Sequence, residues 1–452
     1  MPNSKKPPVK PKETKPASAA PAKKGPSPLN LVRGMKDLLP ADQPYWDMMR
    51  RKAEELSKAY GFERIDTPVL EETALFVRGV GKLTDIVEKE LYTFDTSGGE
   101  HVCLRPENTA SIVRAFIQHG MLNLPQPVKL WYLAPMFRHD RPQHGRYRQF
   151  WQYGCEILGD SAAVVDAQLI FVAYLFLKEL GIESTVQINS IGTPESRANY
   201  KNALVSFFRA RRNKLSEDDK RRLLKNPLRV LDSKDPAVME MKAEAPQIVD
   251  WLDEESKAHF MRVLEFLDEM KVPYELNPYL VRGLDYYTRT VFELYANSSN
   301  QDLAQAAVCG GGRYDGLSEV LGGRPTPAAG FAMGLDRVFS LLKEANLALP
   351  QDEADVFVAQ LGDQGRKRAL AVYEELRKAG IPAGEAFSKD SIKAQMELAN
   401  KKKVKLVVII GQKEVLDGTA VIRDMDSGTQ EIVDVRKIVH EIQKKLGTIQ
   451  AH

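Results

Sequence analysis

Between residues 128 and 158 the chain carries two strand-like apolar runs, VKLWYLAPMF (128–137) and YRQFWQYGCEIL (147–158), rich in aromatic side chains. They flank HDRPQHGR, a polar stretch of Arg, His, Pro and Gly, and so predict an antiparallel hairpin with a long basic tip. Helical spacing of apolar positions appears at 44–59, with Pro44 near the start, and at 108–119, where Asn108 or Thr109 is the expected cap and Gly120 the stop. Residues 61–70 (GFERIDTPVL) read as an extended edge segment in which Pro68 limits further pairing. The most apolar run, 162–180, is interrupted by Asp166, Gln168, Lys178 and Glu179. It is too broken to span a bilayer and predicts a buried helix closed by Gly181.

Residues 196–272 are charged, helical in pattern and punctuated by Pro, the pattern of an insertion between sheet elements. Strand signals return at 290–295 and 305–309, and 330–342 reads as strand, Gly turn and helix. A composition break at 345–353 marks the expected linker. Beyond it, strands at 354–360, 405–410, 418–423 and 430–434 alternate with helices at 364–379, 391–400 and 435–445, which implies a small α/β domain with a mixed sheet.

Composition changes this picture in two places. The 452 residues carry a net charge of +3, but residues 1–28 hold seven Lys against one Glu. The remainder, with 57 basic and 60 acidic residues, is close to neutral, so a polyanion must bind to local patches. The first 28 residues include eight Pro and no aromatic residue, and are expected to be a disordered basic tail without the apolar stretch of a secretory signal. Cys103, Cys155 and Cys309 lie far apart, which excludes a disulfide scaffold and a Cys-rich zinc site and fits a reducing, cytoplasmic setting.

Arginine placement is the main chemical signal. Arg138, Arg141, Arg146 and Arg148 sit around the hairpin tip, Arg282 opens RGLDYYTRTVFE, and Arg337 falls in the first turn of a helix that follows Gly330 and Gly334. Arginines on separate elements suit a polyphosphate whose charge moves during reaction. Each also has a plainer reading: solvated tip residues, an Arg282–Asp285 pair, or a surface Arg337. There is no GxxxxGK[ST] loop, and GGGRYDG (310–316) lacks the GxGxxG pattern. Its glycines serve either close approach to a ligand or a tight turn. His139 and His144 are not at a metal-binding spacing, and no nucleophile triad is apparent.

Taken together, these segments resemble the class II aminoacyl-tRNA synthetases, and within them the histidyl-tRNA synthetase family. GFERIDTPVL resembles motif 1, MFRHDRPQHGRYRQFWQYGCEILG from Met136 motif 2 with its loop, and GFAMGLDRVF from Gly330 motif 3. RGLDYYTRTVFE from Arg282 and CGGGRYDGL from Cys309 resemble the two histidine-specific motifs, and RPENTA from Arg105 and NPLRVLDSK from Asn226 also match family patterns. The resemblance implies a catalytic domain over 29–345 with a mainly antiparallel sheet (an α+β fold), a helical insertion at about 196–272, and an α/β anticodon-binding domain at 353–446. It implies ATP and Mg2+, activation of L-histidine, transfer to tRNA(His), and a homodimer built on motif 1.

Residue by residue, the resemblance implies Arg138, Asp140 and Arg337 at ATP, with Arg138 and Arg282 as the catalytic cations and both also at histidine, Arg138 through its carboxylate. Glu107, Thr109 and Gln152 meet the α-ammonium of histidine, Glu156 and Tyr287 read the imidazole, and Tyr286 and the 310–312 glycines wall the pocket. Arg141, Gln143 and Arg148 meet the tRNA acceptor end, and no protein side chain is assigned to a metal. Lys401–Lys405 is either an RNA contact or a solvated helix end. Asp140, Trp151, Asn108 and Asp336 stand where relatives often carry Glu, His, Gly and Glu. Two non-catalytic alternatives share the fold: a regulatory subunit of ATP phosphoribosyltransferase and a sensor of uncharged tRNA. The presence of Arg282 and of 353–446 weighs against the first, and the full set of charged site residues against the second.

Overall fold

The structure, a computed structural model, describes residues 29–345 and 354–447, except 83, 141–146, 232 and 234, and the side chains of Lys225 and Arg229. The basic segment 1–28, nearly all of the linker stretch, and the tip residues Arg141, Gln143, His144 and Arg146 lie outside the described residues. Two compact units separate between Leu347 and Ala348.

An eight-stranded sheet organises the first unit. Its order is Glu63–Arg64, Val128–Phe137, Gln149–Leu158, Ala328–Gly334, Cys309–Arg313, Thr288–Ala296, Ser184–Ser190 and Tyr274–Leu276. The two outermost pairings are parallel and those between are antiparallel. Because side chains alternate along a strand, the central strands divide cleanly. Trp131, Tyr153, Cys155, Phe292, Leu294, Phe331 and Met333 face one core. Helices Gln43–Ala59, Ala163–Glu179, Glu254–Glu269 and Leu335–Glu344 cover that face. Ala163–Glu179 is apolar on nearly every side, as a fully covered helix must be. Its one buried acid, Asp166, takes the wholly buried Arg313 at 2.5 Å and has His259 at 3.4 Å.

On the opposite face Leu130, Tyr132, Met136 and Val291 pack with helix Thr109–Gln118 and with residues of the helical stretch after Ser190. That face is only partly filled, and the space left over its central strands is the cleft described below. Helix Thr109–Gln118 departs from expectation at its cap. Glu107, not Asn108, accepts the first backbone N–H groups, from Thr109 at 2.7 Å and Ala110 at 3.0 Å. The Asn108 amide oxygen is taken by the Thr67 hydroxyl at 2.7 Å. The Gly-rich run is also not a turn. Cys309–Arg313 is a buried central strand, beginning at Cys309 where the expected strand at 305–309 ends.

The second unit is a five-stranded sheet in the order Ala383–Glu385, Val356–Gln360, Leu406–Ile410, Thr419–Asp424, Gln430–Asp434. Its first two pairings are parallel and its last two antiparallel. Helices Gly362–Lys378 and Ile438–Leu446 bury one face, and Ile392–Lys401 contributes to the other. A further six-residue helix, Gln412–Asp417, was not expected from the pattern.

Candidate active site

Two of the central strands carry glycine on the site-facing side. Gly310 and Gly330 lie on neighbouring strands, where a Cβ on Gly310 would run into the Arg282 guanidinium and one on Gly330 into the Glu156 carboxylate. Above this floor opens a cleft of about 1130 Å3. Arg138, Arg282 and Arg337, which come from three distant stretches of chain, all line it.

Each arginine is held differently. Arg138, at the end of Val128–Phe137, donates through Nε to Pro106 O at 2.9 Å and lies 5.4 Å from the Phe150 ring. Burial pulls its guanidinium pKa down, and the charges of Glu90 and Glu107 push it back up. Arg282 sits on a loop and donates to the Glu293 carboxylate. The alternative partner, Asp285, is instead packed against Gly81. Arg337 is in the first turn of Leu335–Glu344 and donates to Ala307 O. Its neighbour Asp336 is buried, accepting from Trp151 N at 2.7 Å and pairing with Lys36 at 2.6 Å. Asp140 also lines the cleft.

Beside these cations lies a more enclosed polar pocket. Glu107, Thr109, Gln152, Tyr286 and Tyr287 open onto the cleft. Gln152 Oε1 is buried without a hydrogen-bond partner among the described residues, an acceptor waiting for a donor. Glu156 stands behind this wall with no exposed surface. It accepts from Thr109 Oγ1 at 2.7 Å and from the Tyr314 hydroxyl. Burial raises its carboxyl pKa to about 8 against the pull of those two donors, with the Glu107 charge adding to the rise. Burial raises Glu107 as well, opposed by its backbone N–H donors. The rings of Tyr286 and Tyr287 lie 4.7 Å apart and close the pocket from one side.

Other expected residues lie elsewhere. Arg148 is turned to the backbone, donating to Arg33 O at 3.2 Å and Asp140 O at 3.4 Å. Trp151 points away from the cleft and packs edge-on to Trp46 at 6.2 Å. Asn108 is likewise structural, so two of the four departures from the family pattern do not touch the cleft.

Comparison with known proteins accounts for this arrangement. A family profile described as histidyl-tRNA synthetase matches residues 34–338, and one described as an anticodon binding domain matches 355–445. The apo histidyl-tRNA synthetase of S. aureus is 35% identical, with 91% of this chain and 99% of that one covered and a TM-score of 0.76. This chain belongs to the histidyl-tRNA synthetase family. Histidyl-tRNA synthetase from Nostoc (22% identity, 93% and 100% covered, TM-score 0.64) shares the fold. So does a Bacillus halodurans protein described as an ATP phosphoribosyltransferase regulatory subunit/histidyl-tRNA synthetase (23%, 86% and 99%, 0.61). The chain is a histidine–tRNA ligase with ATP, histidine and tRNA as its substrates, on a class II fold with a separate anticodon-binding domain. No helix among the described residues is long and apolar enough to cross a membrane.

Three residues at or behind the synthetase site had no role of their own in the sequence: Glu293 and Tyr314, which lie within RGLDYYTRTVFE and CGGGRYDGL, and Lys36, which pairs with Asp336. Glu293 and Tyr295 share strand parity in TVFELY, so both face the cleft. That two-residue spacing was the available signal. Tyr314 follows the Gly-rich strand directly, and Lys36 had no local signal.

Proposed function

We propose that the synthetase activates L-histidine by in-line attack of its carboxylate on the α-phosphorus of ATP, with Arg138 and Arg282 on opposite sides of the reacting phosphate. The histidine oxygen–phosphorus bond forms as the bond to the bridging oxygen of pyrophosphate breaks. The α-ammonium is held by Glu107, Thr109 and Gln152, whose buried Oε1 needs a donor. Tyr287 and Glu156 read the two imidazole nitrogens, with Tyr286 and the glycine floor shaping the pocket. Arg337 holds the β/γ-phosphates, and Asp140 meets the adenine side. Mg2+ arrives on the triphosphate as part of the nucleotide substrate, coordinated mainly by phosphate oxygens. In the second step the terminal ribose of tRNA(His) attacks the acyl carbon and AMP leaves. The motif 2 loop, with Arg141, Gln143 and Arg148, meets the acceptor end. The enzyme works in the cytoplasm as a homodimer that uses the motif 1 segment.

The observation that carries this reading is the convergence of Arg138, Arg282 and Arg337 on one cleft beside the pocket of Glu107 and Gln152. Cationic donors fixed before reaction stabilise charge where it develops, and losing one costs on the order of 10²–10³ in rate. The test is ATP–pyrophosphate exchange with each amino acid in turn. Exchange is expected with histidine alone, and Arg282→Ala is expected to lower it on the order of 10³-fold while histidine binding stays measurable. Near-normal exchange by that variant would remove Arg282 from the chemistry.

A further inference from the structure

Arg282 lies on a loop without regular secondary structure, so its backbone alone does not aim its side chain. It also shares the cleft with Arg138, and the two positive charges oppose each other. Two guanidinium groups facing the same space swing apart unless something holds them. Glu293 supplies that hold from a central strand. It faces Gly310 across the strand pair, and the Arg282 guanidinium lies in the room that the missing Cβ leaves. One carboxylate oxygen accepts from Arg282 Nη1, and the other accepts from the Tyr295 hydroxyl at 2.6 Å. Both side chains are largely buried, at 19% and 15% exposure, and the Tyr287 ring lies 5.7 Å from the guanidinium. Arg282 Nε has no hydrogen-bond partner among the described residues. The Glu293 bond is therefore the polar contact that fixes the direction of the fork, and it leaves donors for a phosphate.

We infer that Glu293, locked by Tyr295, is a positioning residue that aims Arg282 at the reacting phosphate. The inference rests on the proposed catalytic role of Arg282. It makes no contact of Glu293 with substrate necessary; the carboxylate acts through the arginine. Misplacement of a catalytic group by about 1 Å can lower the rate on the order of 10²-fold.

The experiment is histidine-dependent ATP–pyrophosphate exchange by the full chain carrying Glu293→Gln, Glu293→Asp or Tyr295→Phe, with thermal unfolding measured in parallel. Glu293→Gln should lower kcat on the order of 10²-fold while KM for ATP and for histidine stays close to the parent value. Glu293→Asp should recover part of that loss. Tyr295→Phe, which keeps the carboxylate and removes its anchor, should lower kcat in the same direction by less, and it carries the test if Glu293→Gln does not fold. Parental kcat in Glu293→Gln or, failing its folding, in Tyr295→Phe would overturn the inference. So would a raised KM for ATP at unchanged kcat, which would make Glu293 a nucleotide contact. Arg282→Ala separates the two levels. If it exchanges normally, the catalytic reading of Arg282 falls, whereas an inactive Arg282→Ala beside a fully active Glu293→Gln sinks only the positioning role.

Discussion

A carboxylic acid with no exposed surface, set against two hydroxyl donors, holds its proton into the neutral range. Glu156 is that group, with its pKa pushed up to about 8 from an ordinary 4.5, chiefly by burial. The consequence for stability has a definite sign. Between those values the folded state binds more protons at this position than the unfolded state, so stability from Glu156 falls as pH rises through the window. The slope is at most about 1.4 kcal/mol per pH unit. Glu107, raised in the same direction, adds to the trend in the parent. Glu156→Gln removes the ionisation at 156 and leaves the Glu107 contribution in both proteins. The melting temperature of Glu156→Gln relative to the parent should therefore climb from pH 5 to pH 8 and level off above it. Thermal unfolding of both proteins at unit pH steps measures this, and a difference that stays flat with pH would mean that Glu156 ionises normally. On the proposed contact of Glu156 with the imidazole, the same variant should also bind histidine weakly, because an amide then replaces the carboxyl group.

At the level of elements, the Gly-rich strand Cys309–Arg313 has the most to say about function. Arg313 fixes its end through Asp166, which leaves Tyr314 beside Glu156. Gly310 keeps its middle flat under Arg282. The backbone of Gly310 is not in the left-handed region, so Ala fits the strand conformation, and the nearest atoms that its Cβ displaces are those of the Arg282 guanidinium. Gly310→Ala is thus expected to lower exchange on the order of 10²-fold with little change in melting temperature. Exchange within a factor of about two of the parent would mean that Arg282 has other room to work. This strand also marks where sequence reading runs out. The hairpin and the helix Ala163–Glu179 were legible because paired aromatic-rich apolar runs around a polar tip, and a long stretch with few polar interruptions, report burial directly. A run of three glycines has neither pattern, and whether it is strand or turn depends on neighbours far along the chain. The helix Gln412–Asp417 is short and has no buried residue to leave a periodic trace. The cap of Thr109–Gln118 went to Glu107 because Thr67 competes for Asn108, a contact across 41 positions. Arg282 found Glu293 and not Asp285 because strand parity, and not sequence proximity, decides what faces the cleft.

The whole molecule keeps its chemistry and its second RNA-binding element on separate cores. All three cleft arginines, the glycine floor and the tyrosine wall belong to the unit that ends near Leu347. The anticodon-binding domain has its own buried clusters around Val358, Leu406 and Ile438 on one face and Phe357 and Val407 on the other. Residues beyond 28 are close to electrically neutral, so outside the basic first 28 residues there is no general positive field, and local contacts are expected to carry most of the tRNA binding. Histidine activation needs no RNA; aminoacylation needs the acceptor end delivered to the cleft. A chain ending at residue 347 should therefore keep histidine-dependent pyrophosphate exchange at a rate of the same order as the full chain. Its charging of tRNA at limiting RNA concentration should fall on the order of 10²-fold, the equivalent of about 3 kcal/mol of lost RNA contact. Raising the tRNA concentration should restore part of that loss, because the defect lies in binding. Loss of exchange in a shortened chain that remains folded by circular dichroism would show that the catalytic cleft depends on the second unit, and equal charging by both chains would show that the anticodon-binding domain contributes nothing to tRNA affinity.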